Sequence, residues 1–295
     1  MAPEAGKDAR SRREPVKEDA DEEHEDTSSE EEEDSEEEED LDGSEGDDEE
    51  IMVDFEFQDP KEIDFHGLKA LLGNYLDGAE FSSSALCDDI IKQSTVGTVL
   101  KAQGAGDELD PIAVMSVVNL HQKKDTAYVK EISGHLKKNC PKHLREQLSV
   151  VLAEKGIGLI INERVINVPQ ETASPLVEGL YDEIGWATED EPTEELRESF
   201  KFTKYLMLTR VFQDDDQEAS KKRKREDEQP LVYTRPEDEF FHKLCKWSFQ
   251  WKARDSEDKN DIEVLKPLRL CMLVAASSIP QARSELKSMF ESGSI

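Results

Sequence analysis

Residues 1–50 constrain this chain most, because their charge is expected to keep them from folding. They hold 26 Asp/Glu against 5 Lys/Arg, a net charge of −21, and leave only −12 of the chain's −33 for residues 51–295. Such a segment has too little apolar surface to offset its chain entropy, and its carboxylates repel one another. It is expected to be a disordered acidic tail. Residues 51–295 have ordinary soluble composition and are long enough for one domain with a sizeable core.

The order of elements is readable from periodicity. IMVDFEF (51–57) alternates like a half-buried strand. Asp64 is placed to cap a helix through Phe65, Leu68, Leu72 and Tyr75. SSALCDDIIKQ predicts a second helix, and GTVLKA (97–102) and PIAVMSVVNL (111–120) predict two strands. TAYVKEISGHLKKNC and PKHLREQLSVVL predict two helices that meet at Asn139–Pro141, followed by a strand in GIGLIINERVINV. A helix over 172–186, a strand over 204–212, a charged loop at 213–229 and a short strand at 231–234 come next. The spacing of Phe240, Phe241, Leu244 and Trp251 predicts a helix over 236–251. A strand at 268–278 and a helix at 280–291 end the chain. Strands interleaved with paired helices imply a mixed α/β (α+β) sheet flanked by helices, and consecutive strands over 97–120 mean that it is not purely parallel.

Little in the sequence suggests reaction chemistry. QGAG (103–106) lies between predicted strands and EKGIG (154–158) between a helix and a strand. A phosphate cradle needs the order strand, glycines, helix, so both read as turns. His135, Cys140 and His143 lack the paired spacing of zinc sites. Cys87, Cys140, Cys245 and Cys271 are unpaired in spacing and read as reduced thiols in an intracellular protein. No apolar run approaches the ~20 residues that span a bilayer, and MAPEAGKDARSRRE lacks the apolar core of a secretory signal. Neither enzyme activity, cofactor, metal, membrane insertion nor direct DNA binding is expected.

Charge is the informative feature. Lys221, Lys222, Arg223, Lys224 and Arg225 form a compact basic block inside a strongly acidic chain, the usual mark of recognition by a nuclear import receptor. The tail reads either as a solubiliser or as a polyanion that holds a basic partner. Ser28, Ser29, Ser35 and Ser44 each precede an acid by three residues and suit an acid-directed kinase, whose phosphates would deepen the same charge.

GLIINERVINVPQ (158–170) is a buried-strand pattern interrupted by Glu163 and Arg164. In a straight strand the two point to opposite faces, so one would enter the core. The cheaper arrangement ends the strand near Asn162, with Arg164 bracing the following turn, and this strut is preferred to a direct partner contact.

GLIINERVINVP, the basic block, IMVDFEF after an acidic tail, GTVLK and EDEFFHK together resemble the BCCIP family, including its fungal BCP-type members. Glu163, Arg164, Ile166, Asn167 and Pro169 carry the most specific part, and the resemblance runs from about Ile51 to the C-terminus. It implies a fold like that of GCN5-related N-acetyltransferases, but Ala153 stands where an acyl-CoA loop would need Arg or Gln. It also implies a non-enzymatic adaptor or dedicated chaperone shuttling between nucleus and cytoplasm. The implied partners are a basic large-subunit ribosomal protein of the L-fourteen type, nuclear import and export receptors, and a phosphatidylinositol-phosphate kinase, with links to actin and vesicle traffic. The alternatives are an acyltransferase on a related fold and an acidic histone chaperone.

Overall fold

Strands β3 (Ala113–Asn119) and β4 (Ile157–Arg164) are apolar on both sides, which sets the architecture. Val114 and Val118 of β3 and Ile157, Leu159 and Ile161 of β4 face one core layer. Ala113, Met115, Val117 and Ile160 face the other. A sheet with two apolar faces must be covered on both. The computed structural model describes residues 54–103, 109–214, 230–254 and 265–292, all within the unit Ile51–Ile295.

The remaining strands are β1 (Phe55–Gln58), β2 (Thr98–Ala102), β5 (Lys204–Asp214), β6 (Leu231–Tyr233), β7 (Cys245–Lys252) and β8 (Leu265–Ala275). They form one sheet in the order β1-β2-β3-β4-β5-β8-β7, with β6 beside the far end of β5. Every neighbouring pair is antiparallel except β4–β5. The protein is therefore a mixed α/β structure with a mostly antiparallel sheet.

Helices α1 (Phe65–Leu71), α2 (Ser83–Lys92), α3 (Ala127–Asn139) and α4 (Arg145–Ala153) cover one face, through Leu68, Leu86, Ile90, Ile132 and Leu148. Helices α5 (Ala173–Asp190), α7 (Pro236–Lys243) and α8 (Ile279–Glu291) cover the other, through Leu176, Leu180, Phe241, Ala282 and Leu286. Each fully buried leucine here contributes about 1.5–3 kcal/mol by leaving water. Between them α6 (Glu194–Ser199) is a short helix whose Leu196 N–H donates to Thr193 Oγ1 at 3.2 Å.

Three expectations need correction, and one helix is additional. Residues 245–252 are a strand rather than the end of a helix: Trp247, Phe249 and Trp251 alternate with Lys246, Ser248, Gln250 and Lys252 and pack on the α1–α4 layer. Period two wins because the aromatic side chains reach one apolar face only when extended. Asp64 occupies the N-cap position of α1 but caps nothing there; its buried carboxylate accepts from Lys61 N–H at 2.8 Å and pairs with Lys101 Nζ at 2.5 Å. Helix α6 was not anticipated, and β4 continues past Asn162 through Arg164.

The EKGIG cluster is a turn and a packing point. Gly156 has φ +73, a conformation that glycine adopts without strain, and a Cβ on Gly158 would lie 2.7 Å from Val117 Cγ2. Residues 104–106 of QGAG lie outside the described residues.

Candidate functional site

Strands β4 and β5 run together only over Ile157–Ile160 and Lys204–Met207. Further along, Val211–Gln213 of β5 pair with β6 instead. Between these two ladders the strands part, and polar side chains fill the gap. The β4 positions Asn162, Glu163 and Arg164 lie beside it, still paired to Met115, Val114 and Ala113 of β3 on their other edge.

Glu163 and Arg164 do point to opposite faces, and each meets an opposite charge. Arg164 pairs with Glu237, in the first turn of α7, and that carboxylate is wholly buried; Asn162 Nδ2 donates to the same Glu237 Oε1 at 2.8 Å. On the other face Glu163 lies 3.5 Å from Arg235 Nη1. Arg235 occupies the gap itself. Its Nε donates to Asp238 at 2.7 Å, and its Nη2 donates to Thr209 Oγ1 at 2.7 Å and the Leu208 carbonyl at 3.3 Å. Thr209 donates in turn to Asp238.

Behind Glu163, Asp77 closes the cluster. It adopts φ 55, rare for a non-glycine residue, and accepts from Arg269 Nε at 2.5 Å, with Arg210 Nη2 3.8 Å away. Arg269 Nη2 also donates to the Asn74 carbonyl at 2.5 Å. Among the described residues, four carboxylates (Asp77, Glu163, Glu237, Asp238) thus meet four guanidinium groups (Arg164, Arg210, Arg235, Arg269).

Burial moves these groups in the expected directions. It raises the Glu163 carboxyl above its ordinary range against the pull of Arg235 and Arg269. It draws the Arg164 guanidinium down to about 10, with Arg235 adding repulsion. Burial also opposes the charge on Arg235, but Asp238 and Glu163 outweigh it and raise that pKa. Chemically this arrangement is a clamp: it joins α7, β4, β5 and β8 and fills the gap where the parallel pair separates.

The five signature residues therefore split. Glu163 and Arg164 turn inward, whereas Ile166 (99 % exposed), Asn167 and Pro169 lie on the surface of the connector to α5. Arg164 braces α7, 73 residues away in sequence, rather than the turn that follows it. His135, Cys140 and His143 are not gathered: His135 packs on Trp251 at 5.8 Å, Cys140 is buried, and His143 is exposed. All four cysteines are free. The basic block 221–225 and Ser28, Ser29, Ser35 and Ser44 lie outside the described residues. Sequence reading missed Asp77, Arg210, Arg235, Glu237, Asp238 and Arg269 as a set. One local signal was available, the acidic first turn PEDE of α7 directly after Arg235.

The sequence profile of the BCCIP family matches residues 50–241. The chain belongs to the BCCIP family. It is 38 % identical to "Protein BCCIP homolog" of Arabidopsis thaliana over 84 % of this chain and 77 % of that protein. It is 34 % identical to "Protein bcp1" of Aspergillus oryzae over 75 % of this chain and 80 % of that one. Among solved structures, that of BCP1 from Saccharomyces cerevisiae shares the fold, with a TM-score of 0.58 and 22 % identity over 84 % of this chain and 93 % of that chain. The BCCIP match contains every member of the ion network except Arg269.

Proposed function

We propose that this chain is a non-enzymatic escort. It binds a basic large-subunit ribosomal protein of the L-fourteen type, keeps it soluble in the nucleus, and supports export of cargo that includes a phosphatidylinositol-phosphate kinase. The observation that carries this reading is the excess of 26 acidic over 5 basic residues in residues 1–50 of a BCCIP-family chain. Dense negative charge raises the local concentration of cationic partners and screens lysines and arginines that would otherwise bind RNA. The folded part adds a compatible surface: Trp186 is 63 % exposed on α5, with Glu189 and Asp190 three and four residues further along the helix. An exposed indole among carboxylates suits arginine and lysine side chains.

The lone parallel pair β4–β5 in an otherwise antiparallel sheet supports the finer resemblance to the GCN5-related acetyltransferase plan. Where that pair separates, Arg235 and its partners occupy the space, and Ala153 stands at the position that an acyl-CoA loop would give to Arg or Gln. Both features favour the escort over the acyltransferase.

The test is a salt series of affinities for a basic ribosomal cargo, using the full chain and a chain lacking residues 18–50. At 0.15 M salt the Debye length is about 8 Å, so the acidic segment acts at close range. Its removal is expected to weaken binding, flatten the salt dependence, and lessen protection of the cargo from aggregation with RNA. Equal slopes and equal protection would reduce the segment to a solubiliser.

A further inference from the structure

Residues 121–155 invert the charge of the rest of the chain. They hold 8 Lys/Arg and 4 Asp/Glu, whereas the whole sequence holds 37 and 70. They include α3 and α4, which bury Tyr128, Val129, Ile132, Leu136, Leu148 and Val151 against the sheet and present the opposite sides to solvent. A groove of about 320 Å³ runs between the two helices, with Lys124, Lys130 and Lys137 on it, Leu152 and Ala153 as apolar lining and the buried Val129 beneath them. No carboxylate lines it.

Nearby Lys123 pairs with Asp89 at 2.8 Å, and Lys204 with Glu154 at 2.6 Å. Among the described residues none of the three groove lysines makes an ion pair; Lys130 Nζ donates only to the backbone carbonyl of Asp125, at 2.8 Å. Lys130 and Lys137 are two turns apart on α3, a separation of about 10 Å on one stripe of the helix. Three residues of polyproline-II chain make one full turn at about 3.1 Å each, so side chains three apart return to the same side over about the same distance.

We propose that the α3–α4 groove is a docking surface for an acidic segment of a partner protein, with carboxylates on the lysine row and an apolar side chain on Leu152 and Ala153. Charge complementarity identifies the partner's sign, and the apolar lining identifies its class. A nucleic acid backbone would use the lysines but not the lining, and its dense phosphates would meet the field of a chain with net charge −33. A protein segment with few carboxylates and one apolar anchor uses both features. This surface is opposite in sign to the one that the proposed escort offers its basic cargo, so it serves a different partner.

The experiment measures anisotropy of a fluorescent peptide with glutamates three residues apart around one leucine, titrated with the full chain. The double reversal Lys130→Glu/Lys137→Glu is expected to weaken binding about tenfold or more, and Lys130→Arg/Lys137→Arg to keep it within about twofold. Lys142→Glu, exposed but off the groove, leaves affinity unchanged, and replacing the peptide's leucine by serine weakens it about tenfold. All the substituted lysines are exposed, so melting temperature is read in parallel to show that the variants remain folded. Failure of the peptide to bind, or equal binding by the double reversal, overturns the proposal. So does a single-stranded RNA that displaces the peptide, or self-association of the chain that the double reversal abolishes; these assign the groove to nucleic acid or to a second copy.

Discussion

Arg164 at the end of β4 pairs with Glu237 in the first turn of α7, and Glu237 is wholly buried. The pair ties the strand to a helix on the face opposite α1–α4. Arg164→Ala leaves Glu237 with Asn162 alone, and an uncompensated buried charge costs about 3–5 kcal/mol. Urea unfolding is expected to show that loss. Arg164→Met combined with Glu237→Leu is expected to recover most of it, because well-packed apolar replacements of a buried pair are close to neutral. A native Arg164→Ala midpoint together with lost cargo binding would make Arg164 a contact residue instead.

Asp77 serves the same network from the other face under a backbone constraint. Asp77→Asn keeps a residue that tolerates left-handed φ but removes the charge that holds Arg269. Asp77→Ala removes the charge and adds about 1–2 kcal/mol of left-handed strain. Both are expected to destabilise, with alanine the worse, and denaturant midpoints for the two variants give the order.

His242 offers a pH test. Its Nδ1 meets Tyr233 Oη at 2.6 Å and its Nε2 meets Ser248 Oγ at 2.8 Å, while burial lowers its pKa. Burial lowers His135 as well. A histidine with depressed folded pKa binds fewer protons folded than unfolded. Its contribution is therefore complete above the unfolded value of about 6.5 and is lost as pH falls through the folded value. Stability measured between pH 7 and 5 is expected to fall toward acid, and His242→Gln with His135→Gln to flatten that fall. An unchanged slope in the double variant would assign the pH dependence to other groups.

The basic block is tested in cells. Replacing Lys221, Lys222, Arg223, Lys224 and Arg225 with alanine is expected to move the protein toward the cytoplasm without lowering its melting temperature. Unchanged nuclear imaging would leave the block as a solvated loop.

What the sequence revealed followed the range of its signals. The both-faced apolar runs of β3, β4 and β8 and the amphipathic helices α3 and α5 were legible because their periodicity is local. Residues 245–252 were misread because a helical spacing from Phe240 through Leu244 to Trp251 masks a period-two run that begins one residue after α7 ends. The ion network was illegible for another reason. Arg164 and Glu237 are 73 residues apart and Asp77 and Arg269 are 192 apart, and no local pattern encodes pairings that only the assembled sheet creates. Glu163 and Arg164 drew notice as misplaced charges, but their partners could not be named from the strand alone.

The far end of the β5–β8 ladder has a consequence for how this chain can vary. Asp214 is paired to Leu265 there, Gln213 to Leu231 of β6 and Lys252 of β7 to Leu268, so β5 and β7 end, and β6 and β8 begin, at the same rim. Closing a loop across ends already held by neighbouring strands costs only about 0.6 kcal/mol for each doubling of its length. That rim is therefore the place where insertions and deletions are thermodynamically cheap. Changes of chain length at that rim leave the parting of β4 and β5, and the clamp that fills it, as they are.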